Sequence, residues 1–394
     1  MKRLTAIFLM ILCLIPCGAL AEDGLEPLFP AVGENGKWGY VNPEGTFVIP
    51  PQFDGAEDFR GNYAVITVYP ETPEKYADRD SLPDCEGVID RSGTMVVEPV
   101  YSFDPGYDEE FYGGKDTGIW WVHQWHDDEG AGLDGFFDIP SGYFSGLVWR
   151  SVYPWVSDSR LIPVSDDTYL TGYADRTTGE LVIPCRYFGT DPSCFYGGVA
   201  SVALEDEDGN PLNDEFFLID ETGAVIPLPK GIQAVQYEGA FEGRVLIKNG
   251  EELFGFADVQ GAVVISPQFT FANRFKNGFA VVQFPEGDWG RISPDGEVLA
   301  RGLVSDDWDG PDFYNGMYAT QTGDHEFSII DLQGRTVLTF SCENLVRLYP
   351  PDENGLCMFE TDISGIVNVW QDRKYGFVDL SGQITAEPKP YESD

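Results

Sequence analysis

The residues best suited to chemistry lie in one stretch, GIWWVHQWHDDEG, at residues 118–130. The candidate ligand-binding residues in it are Trp120, Trp121, Trp125, His123 and His126. Tryptophan rings beside carboxylates suit a sugar, because the flat ring covers the sugar face while the acids bind its hydroxyl groups. The two histidines, followed by two aspartates, could instead ligate a metal. In the alternative interpretation, Trp120 and Trp121 are strand residues and one of them faces the core.

Two acidic loops offer carboxylate oxygens around a glycine turn, a geometry that suits Ca²⁺. They are EDEDGN at residues 205–210 and DDWDGPD at residues 306–312, and neither matches the EF-hand spacing. The candidate calcium ligands are Asp206, Asp208, Asp307 and Asp309. The alternative is that both loops are solvated tips, and no other cofactor is predicted.

Catalytic motifs do not occur in the sequence. It contains three histidines, no G-x-S-x-G nucleophile elbow, no H-E-x-x-H and no phosphate-binding loop. With 66 aspartates and glutamates, some pair could always be proposed as a glycosidase dyad, so such a pair carries no information. The sequence therefore predicts a protein that is not an enzyme.

The first 21 residues predict a secretory signal peptide. A basic start precedes an apolar run, and Ala-Leu-Ala at residues 19–21 forms a small-residue cleavage site. A lipoprotein anchor at Cys17 is the alternative, but Pro16 stands where such signals carry a small residue. The mature domain is then residues 22–394, in which no run of about 18 apolar residues could span a membrane. We expect an extracellular or cell-envelope protein.

The net charge of the chain limits the class of partner that it could bind. The formal net charge of −42 argues against nucleic acid, whose phosphates need lysine and arginine, and against an anionic membrane surface. A protein or glycan partner is expected instead.

The five cysteines left after signal removal do not follow the repeat described below, so they do not form a disulfide scaffold. Cys185 and Cys194 are nevertheless close enough in sequence to form one bridge.

The chain is built from one recurring block. A corner of the pattern [N/D/S]-x-x-G, lengthened in two copies, ends at nine glycines from Gly45 to Gly382, at intervals of 35 to 49 residues. The first corner residue can accept hydrogen bonds from the turn, and the glycine is expected to adopt a positive φ. The segment before each corner is named the entering strand, as in WGYVN. The segment after it is named the leaving strand, as in TFVIP.

Each block predicts three strands. The leaving strand is an apolar run, which predicts burial on both faces, and a proline such as Pro50 or Pro267 is expected to end it. A third strand follows with the pattern F-x-x-G-x-A-x-V, in which Ala64, Ala200 and Ala280 indicate close approach of a neighbouring strand. No segment shows a sustained helical period.

The block resembles the WG repeat, also called the KWG repeat, of bacterial secreted and surface proteins. The pattern is W-G-[YF]-[IV]-[DN]-x-x-G-x-x-[VI]-I-x-P-x-[YF]; residues 37–53 fit it nearly in full, and Leu253–Phe269 and Lys374–Gly382 fit well. The third copy departs through a longer corner, and the fifth and eighth carry Phe217 and Ser328 in place of the glycine. The resemblance implies a noncatalytic interaction scaffold and supplies no active-site residues.

A three-stranded block cannot bury its own apolar face, so the sequence predicts an all-β tandem array of about nine stacked repeats. An open curved array is favoured, and a closed propeller-like ring is the alternative. The predicted function is an exported, noncatalytic scaffold that binds a protein or a glycan. The alternatives are a glycan-active envelope enzyme and a structural, calcium-stabilised envelope component.

Overall fold

The computed structural model describes residues 25–70, 85–105, 118–124, 132–153, 157–189, 193–235, 239–303, 310–311, 313–352, 354–362 and 373–390. These residues form two compact units, each considered by itself. Unit 1 takes the described residues of Met1–Pro105, Val122–Gly132 and Phe137–Phe144, and unit 2 takes those of Gly106–Trp121, Leu133–Phe136 and Ser145–Asp394. The predicted signal peptide, with Cys17, lies outside the described residues.

The fold is all-β, as predicted. The first ten strands are β1 (Phe29–Val32), β2 (Trp38–Val41), β3 (Phe47–Phe53), β4 (Gly55–Ala56), β5 (Tyr63–Thr67), β6 (Glu86–Asp90), β7 (Met95–Pro105), β8 (Ile119–His123), β9 (Gly135–Asp138) and β10 (Tyr143–Phe144). The next are β11 (Ser151–Val152), β12 (Leu161–Ser165), β13 (Thr171–Asp175), β14 (Leu181–Tyr187), β15 (Val199–Val202), β16 (Phe217–Asp220), β17 (Val225–Ile226), β18 (Ile232–Ala234), β19 (Ala240–Phe241), β20 (Arg244–Asn249), β21 (Phe254–Ala257) and β22 (Val263–Phe269). The last are β23 (Phe271–Ala272), β24 (Ala280–Gln283), β25 (Trp289–Ile292), β26 (Val298–Leu303), β27 (Met317–Gly323), β28 (Glu326–Asp331), β29 (Thr336–Ser341), β30 (Leu345–Pro351), β31 (Leu356–Asp362), β32 (Arg373–Asp379) and β33 (Ile384–Pro390). Within the described ranges the single helical element is a 3-10 turn, Leu212–Asp214.

Strand pairing is antiparallel and local. In unit 2 the sheets are β11–β14, β15–β17, β18–β22 (in which β18 and β19 both pair with β20), β23–β26, β27–β29 and β30–β33. In unit 1, β1–β3 form a sheet, β4 to β7 pair in succession, and β9 pairs with β10. The third strand of the sequence block pairs with the entering strand that follows it in the chain, as β15 does with β16. In the β15–β17 sheet the alanine-containing strand therefore comes first and the leaving strand last.

The leaving strands are the outer strands of most sheets, and the prediction that they are buried on both faces is wrong. In β22 only Ile265 and Phe269 are buried, and the corresponding residues are the buried ones in β3 and β14. Every residue of the entering strand β13 is buried by contrast. An apolar run has the same composition at the edge of a sheet as at its centre, so the sequence alone could not separate the two.

The prolines predicted to end the leaving strands lie inside them instead. Pro267 lies within β22, where the pairing with β21 shifts register, and proline is tolerated there because the strand is an outer strand with a β-bulge. The bulge carries the leaving strand over the glycine of the WG pair. A Cβ on Gly255 would lie 2.5 Å from the Ile265 oxygen, and one on Gly39 would lie 2.4 Å from the Ile49 oxygen.

In the two blocks that lack this glycine, the pairing of the entering strand with the leaving strand also differs at that position. Ser328 in β28 pairs directly with Thr339 in β29, and their hydroxyl oxygens are 2.9 Å apart. Phe217 in β16 lies beyond β17, whose two residues pair with Leu218 and Ile219. A side chain is therefore accommodated where no bulged leaving strand crosses the entering strand.

Successive sheets of unit 2 bury each other. Phe256 and Ile265 of one sheet pack with Phe275 and Val282 of the next in a single apolar cluster. Clusters of the same kind join each further pair of consecutive sheets from β11 to β33. The small alanines of the third strands lie in these clusters or in that of unit 1: Ala64, Ala200 and Ala280. The stacking predicted for the repeats is thus present within this unit.

An edge-to-face aromatic pair recurs where one block meets the next. The ring centroids are 4.7, 4.8 and 4.7 Å apart in Tyr40–Phe59, Tyr173–Phe195 and Phe256–Phe275. The first ring belongs to an entering strand, and the second opens the F-x-x-G segment of the following sheet. Arg291 replaces the first ring in the next block, with its guanidinium 5.4 Å from the Phe313 ring and donating to the Leu332 oxygen. A cation–π contact takes the place of the aromatic pair there.

Candidate functional site

The tryptophan segment does not form the predicted sugar platform. Trp120 lies in β8 and is 1 % exposed, so its ring cannot stack on a sugar, and the prediction of Trp120 as a binding residue is wrong. Trp121 is half-buried. His123 is buried, with Nδ1 3.8 Å from Asp104 Oδ2. Trp125 and His126 lie outside the described residues, so the structure brings together no more than part of the segment.

The acidic loop at residues 205–210 is another hairpin corner. Asp206 Oδ1 accepts the backbone N–H groups of Asp208 and Asn210, each at 2.9 Å, and the Asp206 N–H donates to the Asn210 oxygen at 2.8 Å. One carboxylate oxygen of the predicted calcium site is therefore engaged by the turn itself. Asp307 and Asp309 lie outside the described residues. Among the residues that the structure describes, no three His, Cys, Asp or Glu side chains are grouped to hold a metal.

The predicted disulfide is not formed in the structure. Cys185 and Cys194 are unbridged. Cys185 lies in β14 with its Sγ 3.9 Å from the Val164 oxygen, and burial raises the pKa of its thiol. Cys194 is buried and directly precedes Phe195 in the sequence. Proximity in sequence did not bring the two side chains together, since one belongs to a leaving strand and the other to the segment that starts the next sheet.

Corner carboxylates are the most regular polar feature of the molecule. Asp220 Oδ1 accepts the N–H groups of Thr222 and Ala224 at 2.8 and 3.1 Å, and Gly223 has φ of 80°. The same pair of bonds to the second and fourth residues recurs at Asp90, Asp206, Asn249, Asp258, Asp331, Asp352 and Asp379. These side chains, all aspartates except Asn249, close the hairpins, which gives many of the aspartates a structural role.

Hydrogen bonding lowers the pKa of two corner carboxyls, those of Asp220 and Asp379. At Asp220 the Thr222 hydroxyl is the main cause, followed among the lowering contributions by the two backbone N–H groups, and at Asp379 the Ser381 hydroxyl and the Gln383 N–H act in the same way. A carboxyl whose pKa is lower in the folded than in the unfolded chain adds stability above its unfolded pKa of about 3.9. That stability is lost as the pH falls through the folded pKa.

We therefore expect the double variant Asp220→Asn/Asp379→Asn to be less stable than the wild type at pH 7, and the difference to narrow as the pH falls from 7 to about 3. Asparagine keeps the acceptor oxygen, as Asn249 does at its own corner, so only the charge-dependent part is removed. Chemical denaturation across this pH range measures the difference. Asp167→Asn is the matched control, because Asp167 is exposed and follows Asp166, whose carboxylate is the one that accepts a backbone N–H in that turn. A pH-independent difference between the double variant and the wild type would contradict the role given to the corner charges.

Exposed apolar side chains mark the start of eight of the nine leaving strands, β10 being the exception. In these eight, one of the first two residues is 37 to 60 % exposed. These residues, named the edge residues, are Val48, Val96, Leu181, Val225, Val264, Val298, Val337 and Ile384. Six of them lie on consecutive sheets of unit 2, and sheets that pack face to face are about 10 Å apart. Unit 2 thus presents one exposed aliphatic group on each of six consecutive sheets.

Sequence reasoning missed the edge residues because it assigned them to the core. The signal was nevertheless present, since an apolar residue stands first or second in each of these eight leaving strands. This residue, or the one before it, pairs with one of the last two residues of the entering strand. Two further corners were also missed, at Asn249 and Asp352. The Asn249 corner escapes the pattern because Glu252, with φ of 58°, takes the place of the glycine.

Comparison with known proteins gives one family match. The model of the WG containing repeat matches residues 38–68, 87–103 and 254–284. No curated protein matches the chain. Among solved structures, a eukaryotic initiation factor is similar over 92 % of this chain and 96 % of its own, with 11 % identity and a TM-score of 0.44. BamB from Moraxella catarrhalis is similar over 78 % of this chain and 90 % of its own, with 11 % identity and a TM-score of 0.33. Neither likeness is close enough to support a conclusion about function.

No helix in the described part of the chain is long and apolar enough to cross a bilayer.

Proposed function

We propose that this chain, which carries WG-type repeats over residues 38–68, 87–103 and 254–284, acts outside the cytoplasm as a noncatalytic scaffold that binds a protein partner through its edge residues. The observation that supports this function is the recurrence of an exposed aliphatic side chain at the same place in eight leaving strands. Export is proposed from the signal peptide, and the lack of catalysis from the lack of catalytic motifs in the sequence.

The recurrence of the exposed residues is what indicates a binding surface. A single apolar side chain on a protein surface needs no explanation. Here each block could carry a threonine or lysine at this solvent-facing position, yet Leu181, Val225, Val264 and Val298 are all aliphatic on consecutive sheets. A row of aliphatic groups within an acidic surface favours a polypeptide partner, since protein interfaces combine an apolar centre with a polar rim.

A protein partner is favoured over a glycan. Sugar binding was predicted from a group of three tryptophans, and burial of Trp120 removes one of them. Aliphatic side chains such as Val264 offer no flat face for a sugar ring and no hydrogen bond to its hydroxyl groups. The edge residues are therefore suited to the side chains of another polypeptide.

Site-specific photo-crosslinking in the cells that produce the protein tests this function. A photoreactive amino acid placed at Val225, Val264 or Val298 is expected to yield discrete protein adducts. Tyr169 and Tyr314 are matched controls, because they also carry large side chains, 57 and 58 % exposed, but lie outside the leaving strands. No adduct, or equal adducts at all five positions, would contradict the proposed surface. Adducts that contain sugar would favour a glycan partner instead, and recovery of the protein in the cytoplasmic fraction would contradict export.

A further inference from the structure

Among the eight leaving strands that carry an edge residue, one differs from the others in having an unguarded edge. Proline lies within or directly after six of them, at Pro50, Pro99, Pro184, Pro227, Pro267 and Pro388, and β26 carries Arg301. Proline and charged residues on an outer strand prevent a further strand from pairing with it. The sequence of β29, Thr-Val-Leu-Thr-Phe-Ser, contains neither.

The geometry of β29 is also the one best suited to accept a strand. It is the last strand of its sheet in the described residues. It pairs with β28 over four consecutive residues, from Glu326↔Ser341 to Ile329↔Leu338, before the first register shift. In β22, by contrast, the bulge over Gly255 interrupts the ladder. This uninterrupted stretch includes Ser328, which stands in place of the glycine and pairs directly with Thr339.

One face of β29 packs against the core, and the remaining side chains of the strand are exposed to solvent. Leu338 and Phe340 are 7 and 6 % exposed and pack with Phe359 of the next sheet. Thr336, Val337, Thr339 and Ser341 are exposed. The strand is therefore held in an extended conformation before any ligand arrives, which lowers the entropic cost of adding another strand.

Local charge decides which occupant fits this edge. Residues 324–343 carry four acids and a single arginine, and the Arg335 guanidinium is 2.7 Å from the Asp331 carboxylate. A second copy of the chain would bring the same acidic surface and a net charge of −42. An extended segment with lysine or arginine beside β-branched or hydroxyl residues would instead be attracted to the site.

We propose that β29 binds an extended cationic segment of a partner protein by strand addition, with main-chain hydrogen bonds along the edge and Val337 contacting an apolar side chain of the ligand. The inference rests on the proposed scaffold function and names the chemistry of its partner. A ligand rich in threonine and valine suits this site, because β-branched residues favour the extended conformation that strand addition requires.

Fluorescence anisotropy tests the inference with a labelled probe peptide, Lys-Thr-Val-Thr-Val-Thr-Lys. The full chain is expected to bind this probe, and Val337→Lys, which guards the edge as Arg301 guards β26, should weaken binding by about tenfold or more. Val298→Lys on β26 is the matched control, because it adds the same charge to an edge that is already guarded, and its binding should equal that of the wild type. A second control replaces the central threonine of the probe with proline, which should abolish binding.

Equal binding by Val337→Lys and Val298→Lys, or equal binding of the proline peptide, would overturn strand addition at β29. A dimer in light scattering that Val337→Lys dissociates would overturn the choice of occupant. Failure of the probe together with protein adducts at Val225 and Val264 would refute the β29 site alone. Failure of both experiments would refute the scaffold function itself.

Discussion

Gly255→Ala is expected to destabilise the protein by about 3 kcal/mol. The added Cβ would lie 2.5 Å from the Ile265 oxygen and 2.6 Å from the Pro267 nitrogen. Both are backbone atoms of the bulged leaving strand, so no rotamer change can relieve the contact. Either the bulge must straighten or the two strands must separate, and the apolar cluster that Ile265 forms with the next sheet is disturbed in both cases.

Gly250→Ala provides the control in the adjoining corner. Gly250 is exposed, and a Cβ there would meet nothing within 4 Å, so the change is expected to stay within about 0.5 kcal/mol. Urea denaturation of both variants gives the comparison. Equal stability of the two variants would show that the WG glycine is not required by the bulge.

Phe275→Ala is expected to cost about 3–5 kcal/mol of stability. Phe275 is 2 % exposed, and its ring lies 4.7 Å from that of Phe256 in the preceding sheet. Removing it leaves a cavity between two sheets that depend on each other for burial, so the loss combines transfer, cavity and aromatic contributions. The equivalent pairs at Tyr40–Phe59 and Tyr173–Phe195 indicate that this contact holds successive blocks together.

Tyr314→Ala is the matched control for this variant. Tyr314 also lies in an F-x-x-G segment, one residue after the repeat phenylalanine, but it is 58 % exposed. Its replacement is expected to change the free energy of unfolding by less than about 0.5 kcal/mol. A cost for Phe275→Ala below about 1 kcal/mol would mean that the aromatic pair does not join the sheets.

Local features of the fold were predictable from the sequence. The corners, their positive-φ glycines and the period of the blocks depend on residues a few positions apart, and the structure confirms them, as at Gly223. The all-β class followed from the same patterns. The departures at Phe217 and Ser328 were also visible as missing glycines, and they mark the two leaving strands that pair without the bulge.

Features that depend on long-range pairing were not predictable. Whether an apolar run such as β22 lies at the centre or the edge of a sheet depends on which strand follows it in space, and the sequence does not record that. The same limit applies to Trp120, since a tryptophan in a strand can face solvent or core. Asp206 is a different case, because its D-x-x-G corner was legible in the sequence but an acidic loop was interpreted as a calcium site.

The most direct test of the scaffold function is the ratio of crosslinked protein formed at Val264 to that formed at Tyr314 in intact cells. A ratio well above one, with a discrete protein of constant mass joined at Val264, is the result that the edge residues predict. A ratio near one would mean that the exposed aliphatic groups of the leaving strands contact nothing more than other exposed side chains do, and it would contradict the assignment of this surface to a partner.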